Sequence, residues 1–307
     1  MKLIKINNSI ISISDQRYFK QDYQNYTLSV LKFIINKNNL SINIILGCHE
    51  YNFENKNKTI KININYEHTL VKEGGRGVEK NTHIGKIKYS QNKYYLVRIE
   101  NRKKYFRSSD VIIDYSNPNI YNVKKSGLYN NFSDKHIYLA PNLYEKLHIN
   151  INNRNIQSLT TFINTDEPRR KKLLEKISQS GLKHINKGDC KYKERLKELY
   201  QDTKVLINVR QTPHHDTFEE LRCLPALQNG VIVVSEKAPL NHLIPYNDLI
   251  IWTDYENIVD KTKKVLKNYE EYYKRIFTKK NIDILNKIDD KNKRSLEDKI
   301  MKIISVK

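Results

Sequence analysis

The 307-residue sequence predicts an α/β protein of two domains, each an open, largely parallel sheet with helices on its faces. Three observations predict it. Strand-like apolar runs alternate with helical patterns through the second half, joined by short connections. Several of those runs, 204–210 and 231–236 above all, are continuously apolar, as a strand buried on both faces requires. The length fits two domains of about 150 residues each.

The first half opens with a β run at 3–13. A helix follows over 17–35, where Tyr23, Tyr26, Leu28, Leu31, Ile34 and Ile35 recur at helical spacing. Residues 41–47 read as a buried strand ended by Gly47. Residues 59–71 alternate apolar and polar and read as another strand, after which Glu73-Gly74-Gly75-Arg76-Gly77 has to be a loop. Strands are predicted at 93–100, at 109–116, and at 136–144, the last cut by Pro141. The polar, Asn-rich stretch 145–157 reads as a linker. The predicted domains are therefore 1–145 and 146–280.

The second half is more regular. A strand at 158–164 leads to a helix over 168–179, with Pro168 in its first turn and Gly181 past its end. A strand at 182–186, a helix at 194–200 and the strand 204–210 follow. A helix over 218–229 is closed by Gly230, and strands at 231–236 and 248–254 precede a helix over 255–273. Residues 281–307 form a C-terminal helix.

Hydrophobic residues make up 38% and charged residues 29%, with aliphatic runs spaced along the whole chain, which excludes global disorder. No apolar stretch reaches the ~18 residues of a membrane span. The N-terminus lacks an apolar core and cleavage site, so no secretory signal is expected. Cys48, Cys190 and Cys223 have no metal-ligand spacing, which points to a reducing, cytoplasmic setting. Net charge is +21, spread over both halves, and such a surface attracts polyanions: nucleic acid, an acidic glycan or a nucleotide diphosphate. A nucleic-acid-binding α/β protein would show a localised basic stripe interleaved with aromatics. Here the 21 tyrosines include pairs that fall inside strand and helix patterns, so that reading stands as the alternative.

The chemistry concentrates in 204–236, which reads strand, polar loop, helix, Gly turn, strand. Thr217-Phe218-Glu219-Glu220 fits a capping box, with Thr217 as N-cap and Glu220 three residues on. A helix opening there would aim backbone N–H groups and a positive dipole end at an anion, and a diphosphate suits it. His214, His215 and Asp216 cluster at the loop tip; His215 is a donor-site candidate, and no metal set is identified.

In this segment the sequence resembles GT-B glycosyltransferases, enzymes with two Rossmann-like domains that move a sugar from a nucleotide-sugar to an acceptor. The likeness rests on the strand before the loop, on Phe218-Glu219-Glu220-Leu221-Arg222, and on Ala226-Leu227-Gln228-Asn229-Gly230 followed by Val231–Glu236. It spans about 158–277, the donor half; the first half matches in architecture. Where many members carry two glutamates eight residues apart, this chain has Thr217 and Pro225, and Pro225 is expected to interrupt or kink the helix. Glu219 and Glu220 are the substitute carboxylates, Glu219 as the donor-hydroxyl candidate and Glu220 either as that or as the cap partner. Arg222 pairs with phosphate or with Glu219.

The resemblance further implies a basic residue at the start of the helix after 158–164. Arg169 and Arg170 stand there, where two cations are disfavoured by the helix dipole, and Arg210 ends the strand 204–210. Such cations neutralise a departing diphosphate. In the first half Glu67 and His68 are candidates for an acceptor-side base, next to the loop of Gly74, Gly75 and Arg76. With no D-x-D triplet in the chain, the expectation is a metal-independent transferase using a UDP- or GDP-sugar, with no other cofactor and a glycan or protein acceptor. A GT-B-like protein that binds without catalysis is the further alternative. The composition, rich in Asn, Ile, Lys and Tyr, is that of an AT-rich genome of giant-virus or protist style, which would place the protein in a host cytoplasm.

Overall fold

The computed structural model describes residues 1–14, 19–68, 70–72, 83–84, 87–88, 94–96, 99–126, 130–163, 165–188, 193–210 and 217–305. It divides into two compact units, 1–140 with 289–307, and 141–288. The sequence reading cuts the chain at 145/146 and 280/281. The structural cut falls earlier because Gln228 Nε2 donates to Asn142 Oδ1 (2.6 Å) and to the Tyr144 carbonyl (3.0 Å), which fastens 142–144 to the second unit.

In the first unit β1 (Lys2–Ile6) and β2 (Ser9–Ile13) form an antiparallel hairpin, where the sequence reads as one β run. Asn7 makes the turn at φ 50°, a left-handed conformation that Asn tolerates. Then come α1 (Phe19–Lys37), β3 (Ile42–Leu46), β4 (Lys58–Asn65), β5 (Leu70–Lys72), β6 (His83–Ile84), β7 (Ile87–Lys88) and β8 (Tyr94–Leu96). The unit continues with α2 (Ile99–Ser108), β9 (Val111–Asp114), α3 (Asn117–Ser126), α4 (Asn130–Ser133) and β10 (His136–Tyr138). Its main sheet has the order β1-β2-β3-β4-β9-β10 and is parallel from β2 onward. β3 and β9 are buried along their whole length, and α1 lays Tyr23, Val30, Leu31, Ile34 and Ile35 against the core. Three corrections apply. The predicted strand 59–71 is two strands, β4 and β5, which belong to different sheets. Within the predicted strand 93–100 the described residues form β8 at Tyr94–Leu96, and Ile99 opens a helix. The predicted strand 136–144 is three residues long.

Asp114 ends β9 opposite its register partner Asn65 at the end of β4. It is buried, and accepts from Asn65 Nδ2 (2.8 Å), Asn119 Nδ2 (2.9 Å) and the Ser116 backbone N–H (3.0 Å). Burial outweighs these bonds and pushes its carboxyl up to about 7.

The second unit holds β11 (Ile156–Thr160), α5 (Pro168–Gln179), β12 (His184–Asn186), α6 (Lys193–Gln201), β13 (Thr203–Asn208), α7 (Glu220–Gln228), β14 (Ile232–Glu236) and β15 (Ile250–Thr253). Then follow α8 (Ile258–Lys267), α9 (Tyr269–Ile276) and α10 (Lys279–Asn286). All strands are parallel, in the order β12-β11-β13-β14-β15. The predicted helix 255–273 is a 3₁₀ turn at Tyr255–Asn257 followed by α8 and α9. α11 (Ile288–Ser305) closes the chain and packs in the first unit: Asn292 bonds both the N–H and the carbonyl of Ala140, and Tyr26 donates to Asp289 at 2.9 Å. Among the described residues no helix is long and apolar enough to cross a membrane.

At the amino end of the second sheet, the buried Arg154 donates to the carbonyls of Asn150, Tyr200, Thr203 and Asn229. Two of these carbonyls close α6 and α7, where helix dipoles favour a cation. Gly230, at φ +69°, lies so close that a Cβ would meet Arg154 Nη2 at 2.7 Å and the Tyr273 hydroxyl at 2.8 Å. Gly230→Ala is therefore expected to destabilise the protein by about 2–3 kcal/mol, measured by denaturant unfolding. Asp114 sets a pH dependence. Its folded value is raised above the unfolded one, so its contribution is present below about pH 4 and is lost as pH rises through about 7. Unfolding measured from pH 4 to 7 should show a falling stability term that Asp114→Asn removes; equal slopes in both proteins would contradict this.

Candidate functional site

The strand order of the second sheet reverses between β11 and β13, and ligands of open α/β sheets sit beyond the strands' carboxyl ends at such a point. Glu236, the last residue of β14, is 4% exposed. Its Oε1 accepts from Arg169 Nη2 at 2.8 Å and from Arg210 Nη2 at 2.9 Å. Its Oε2 accepts from Arg169 Nη1 at 3.2 Å and from the Arg210 backbone N–H at 3.0 Å. One carboxylate thus joins the first turn of α5 to the chain leaving β13. Arg169 also donates to the Arg210 carbonyl (2.9 Å) and lies 4.2 Å from the Tyr255 ring centroid, while the Tyr255 hydroxyl donates to the Arg169 carbonyl at 2.6 Å. Burial pushes the Tyr255 phenol up, and the Arg169 cation partly offsets it.

A second pair of cations stands on Phe162, just past β11. The guanidinium carbons of Arg170 and Arg222 lie 4.8 and 5.6 Å from its ring centroid. Arg222 Nη1 donates to Asn208 Oδ1 at 2.8 Å, and Asn208 Nδ2 donates to Ser235 Oγ at 3.0 Å. Asn208 and Ser235 are register partners at the ends of β13 and β14. Two guanidiniums, Arg169 and Arg210, thus share one buried carboxylate, and two more, Arg170 and Arg222, share the Phe162 ring; all four are always charged. Such an excess of fixed cations suits a polyanionic group, and a diphosphate above all.

The α7 start differs from its prediction. Glu219 occupies the N-cap position with no side-chain cap bond, and Glu220 is the first helical residue, so Thr217 and Glu220 do not form a capping box. Glu220 is fully buried and accepts from the Tyr246 hydroxyl at 2.8 Å. Phe218 is buried against Trp252, with ring centroids 5.1 Å apart. The backbone N–H of Glu220 already bonds the Phe218 carbonyl. An apolar ring and a buried acid thus occupy the first turn, and the cations of the site come from Arg169, Arg170, Arg210 and Arg222. Pro225 lies inside α7, which runs unbroken to Gln228.

Of the other predicted residues, Arg222 takes Asn208 as its partner. Glu67 and His68 lie in the first unit, where Glu67 pairs with Lys20 at 3.0 Å and its carbonyl accepts from Asn65 Nδ2 (3.0 Å) and Asn119 Nδ2 (3.2 Å). His214, His215, Asp216, Gly74, Gly75 and Arg76 lie outside the described residues. Glu236, Asn208, Phe162 and Tyr255 were not singled out from the sequence, although Asn208 and Glu236 carry a readable signal as polar side chains ending continuously apolar strands.

No family model matches the sequence. An uncharacterized protein of Acanthamoeba polyphaga mimivirus is 29% identical over 198 residues, covering 60% of this chain and 66% of that protein. A crystal structure of a mutant S. aureus TarM, in complex with fondaparinux, alpha-GlcNAc-glycerol and UDP, matches 92% of this chain and 59% of its own at 12% identity, with a TM-score of 0.50. The chain thus spans just under two thirds of the viral protein's length and less of TarM's. The likeness to TarM is one of fold: the chain has the GT-B glycosyltransferase fold, with two Rossmann-like units. If the Phe162 pair contributes to an anion site, replacing both Arg170 and Arg222 with Gln should weaken binding of inorganic pyrophosphate by at least about tenfold, read by calorimetry at low salt. An unchanged affinity would remove both arginines from the site.

Proposed function

We propose that this protein is a nucleotide-sugar-dependent glycosyltransferase that moves a sugar from a UDP- or GDP-sugar to a glycan or protein acceptor without a metal ion. The observation that carries this reading is the cluster of Arg169, Arg170, Arg210 and Arg222 at the switch point of the second sheet. The fold shared with TarM, whose crystal contains UDP, supports it. In the reaction the bond from the anomeric carbon to the diphosphate oxygen breaks and an acceptor hydroxyl oxygen bonds that carbon. The hydroxyl proton leaves to a base, for which Glu67 and His68 are the candidates. The nucleoside diphosphate departs with added negative charge, and prearranged guanidiniums stabilise that charge in the transition state. Fixed cations here take the part that a divalent ion plays in metal-dependent transferases.

A specific observation favours a second reading, sugar-nucleotide binding without transfer. Thr217 and Pro225 stand where related enzymes carry glutamates, and Glu220 is turned inward to Tyr246. A thermal-shift series with UDP-, GDP-, dTDP- and CMP-sugars, followed by turnover in EDTA, separates the cases. A UDP- or GDP-sugar is expected to raise Tm, by about 2.7 kcal/mol of linkage at a hundredfold excess over Kd, while the singly phosphorylated CMP-sugar does not. Turnover should persist in EDTA. Stabilisation without turnover supports the second reading, no stabilisation by any donor contradicts both, and turnover lost in EDTA and restored by Mn²⁺ refutes metal independence.

A further inference from the structure

We propose that Glu236 is a positioning residue of this site, holding Arg169 and Arg210 side by side so that both guanidiniums meet one diphosphate; the inference rests on the transferase reading above. The geometry is that of a carboxylate with every acceptor direction used. Each of its oxygens takes one bond from Arg169 and one from Arg210. Two like charges brought to one oxygen would repel and separate if that oxygen were neutral. The carboxylate removes the repulsion and fixes both side chains, which come from elements 41 residues apart in sequence.

Glu236 leaves Arg169 capacity for a ligand. A guanidinium has five N–H donors. Arg169 spends three of them within the described residues, two on Glu236 and one on the Arg210 carbonyl. The Nε–H and one Nη2–H remain, and the side chain keeps partial exposure beside the Tyr255 ring. Arg210 is tied to Glu236 through both its side chain and its backbone N–H, so the carboxylate also sets the direction in which the chain leaves β13. Glu236 therefore acts through the two arginines and has no need to touch the substrate. Its negative charge opposes anion binding as such, so its benefit lies in orientation, which is felt most in the transition state.

That separation is the test. Glu236→Gln keeps the size, removes the charge and sets an amide N–H₂ against guanidinium donors. It is expected to lower kcat for the preferred sugar nucleotide by about thirtyfold or more, with KM and the calorimetric Kd for inorganic pyrophosphate within about threefold of wild type. Arg169→Lys should show a similar fall, and the double variant little more than either alone, because both changes break one unit. Glu236→Asp, which keeps the charge but shortens the reach, should fold and lose about tenfold, so the series stays readable if Glu236→Gln does not fold. Wild-type kcat in Glu236→Gln or Glu236→Asp overturns the proposal. Full additivity of Glu236→Gln and Arg169→Lys overturns it as well, since it would mark a structural role only. A wild-type protein that turns over no sugar nucleotide overturns the transferase reading and this inference together; a turning-over wild type matched by Glu236→Gln overturns this inference alone.

Discussion

The second unit's site depends on one electrostatic constraint: a buried carboxylate must be matched by cations or strong donors, or the strand that carries it cannot end in the interior. Glu236 meets that requirement with Arg169 and Arg210. The arginines come from the elements that follow β11 and β13, so satisfying the acid draws together the strand ends on either side of the switch point. Asn208 and Ser235 extend the same line of contacts to Arg222, and Phe162 links Arg222 to Arg170. A requirement of folding thereby concentrates positive charge in one place.

The first unit solves the equivalent problem differently. Asp114 is likewise the last residue of an inner parallel strand and likewise buried, and it accepts from three donors where Glu236 accepts from four. Its partners are neutral amides and a backbone N–H, so burial dominates and the carboxyl rises to about 7. The same amides of Asn65 and Asn119 also hold the Glu67 carbonyl, which fixes the start of the segment that bears Glu67 and His68. A charged donor set at Glu236 keeps two guanidiniums together at a strand end; a neutral donor set at Asp114 ties down the turn after β9.

How much of this was legible in the sequence follows from how local each signal is. α5 was read to the residue because Pro168 and the glycine after its end act within one turn. The continuous apolar runs located β13 and β14 because burial on both faces leaves no alternation. α2 is not legible in the sequence: half of its ten residues are charged, with Phe106 buried, and no Gly, Pro or capping signal marks its start. The capping box at Thr217 failed for a tertiary reason, since Glu220 is claimed by Tyr246, 26 residues away, which no local pattern encodes. Arg169 and Arg170 are implied by the resemblance, and their unfavourable place at a helix start supports a use; for Arg169 the offset is Glu236, which lies 67 residues on. The acid that ends β14 carries no local signal beyond its place after a continuously apolar run.

The most direct test of the central claim is a crystal structure of the protein with the sugar nucleotide, or the nucleoside diphosphate, that stabilises it best. Diphosphate oxygens are expected within hydrogen-bond distance of Arg169 and of at least one of Arg170, Arg210 and Arg222, with Glu236 still bridging its two arginines. A diphosphate bound elsewhere in the chain, or one whose arrival breaks the Glu236 contacts to both arginines, would contradict it.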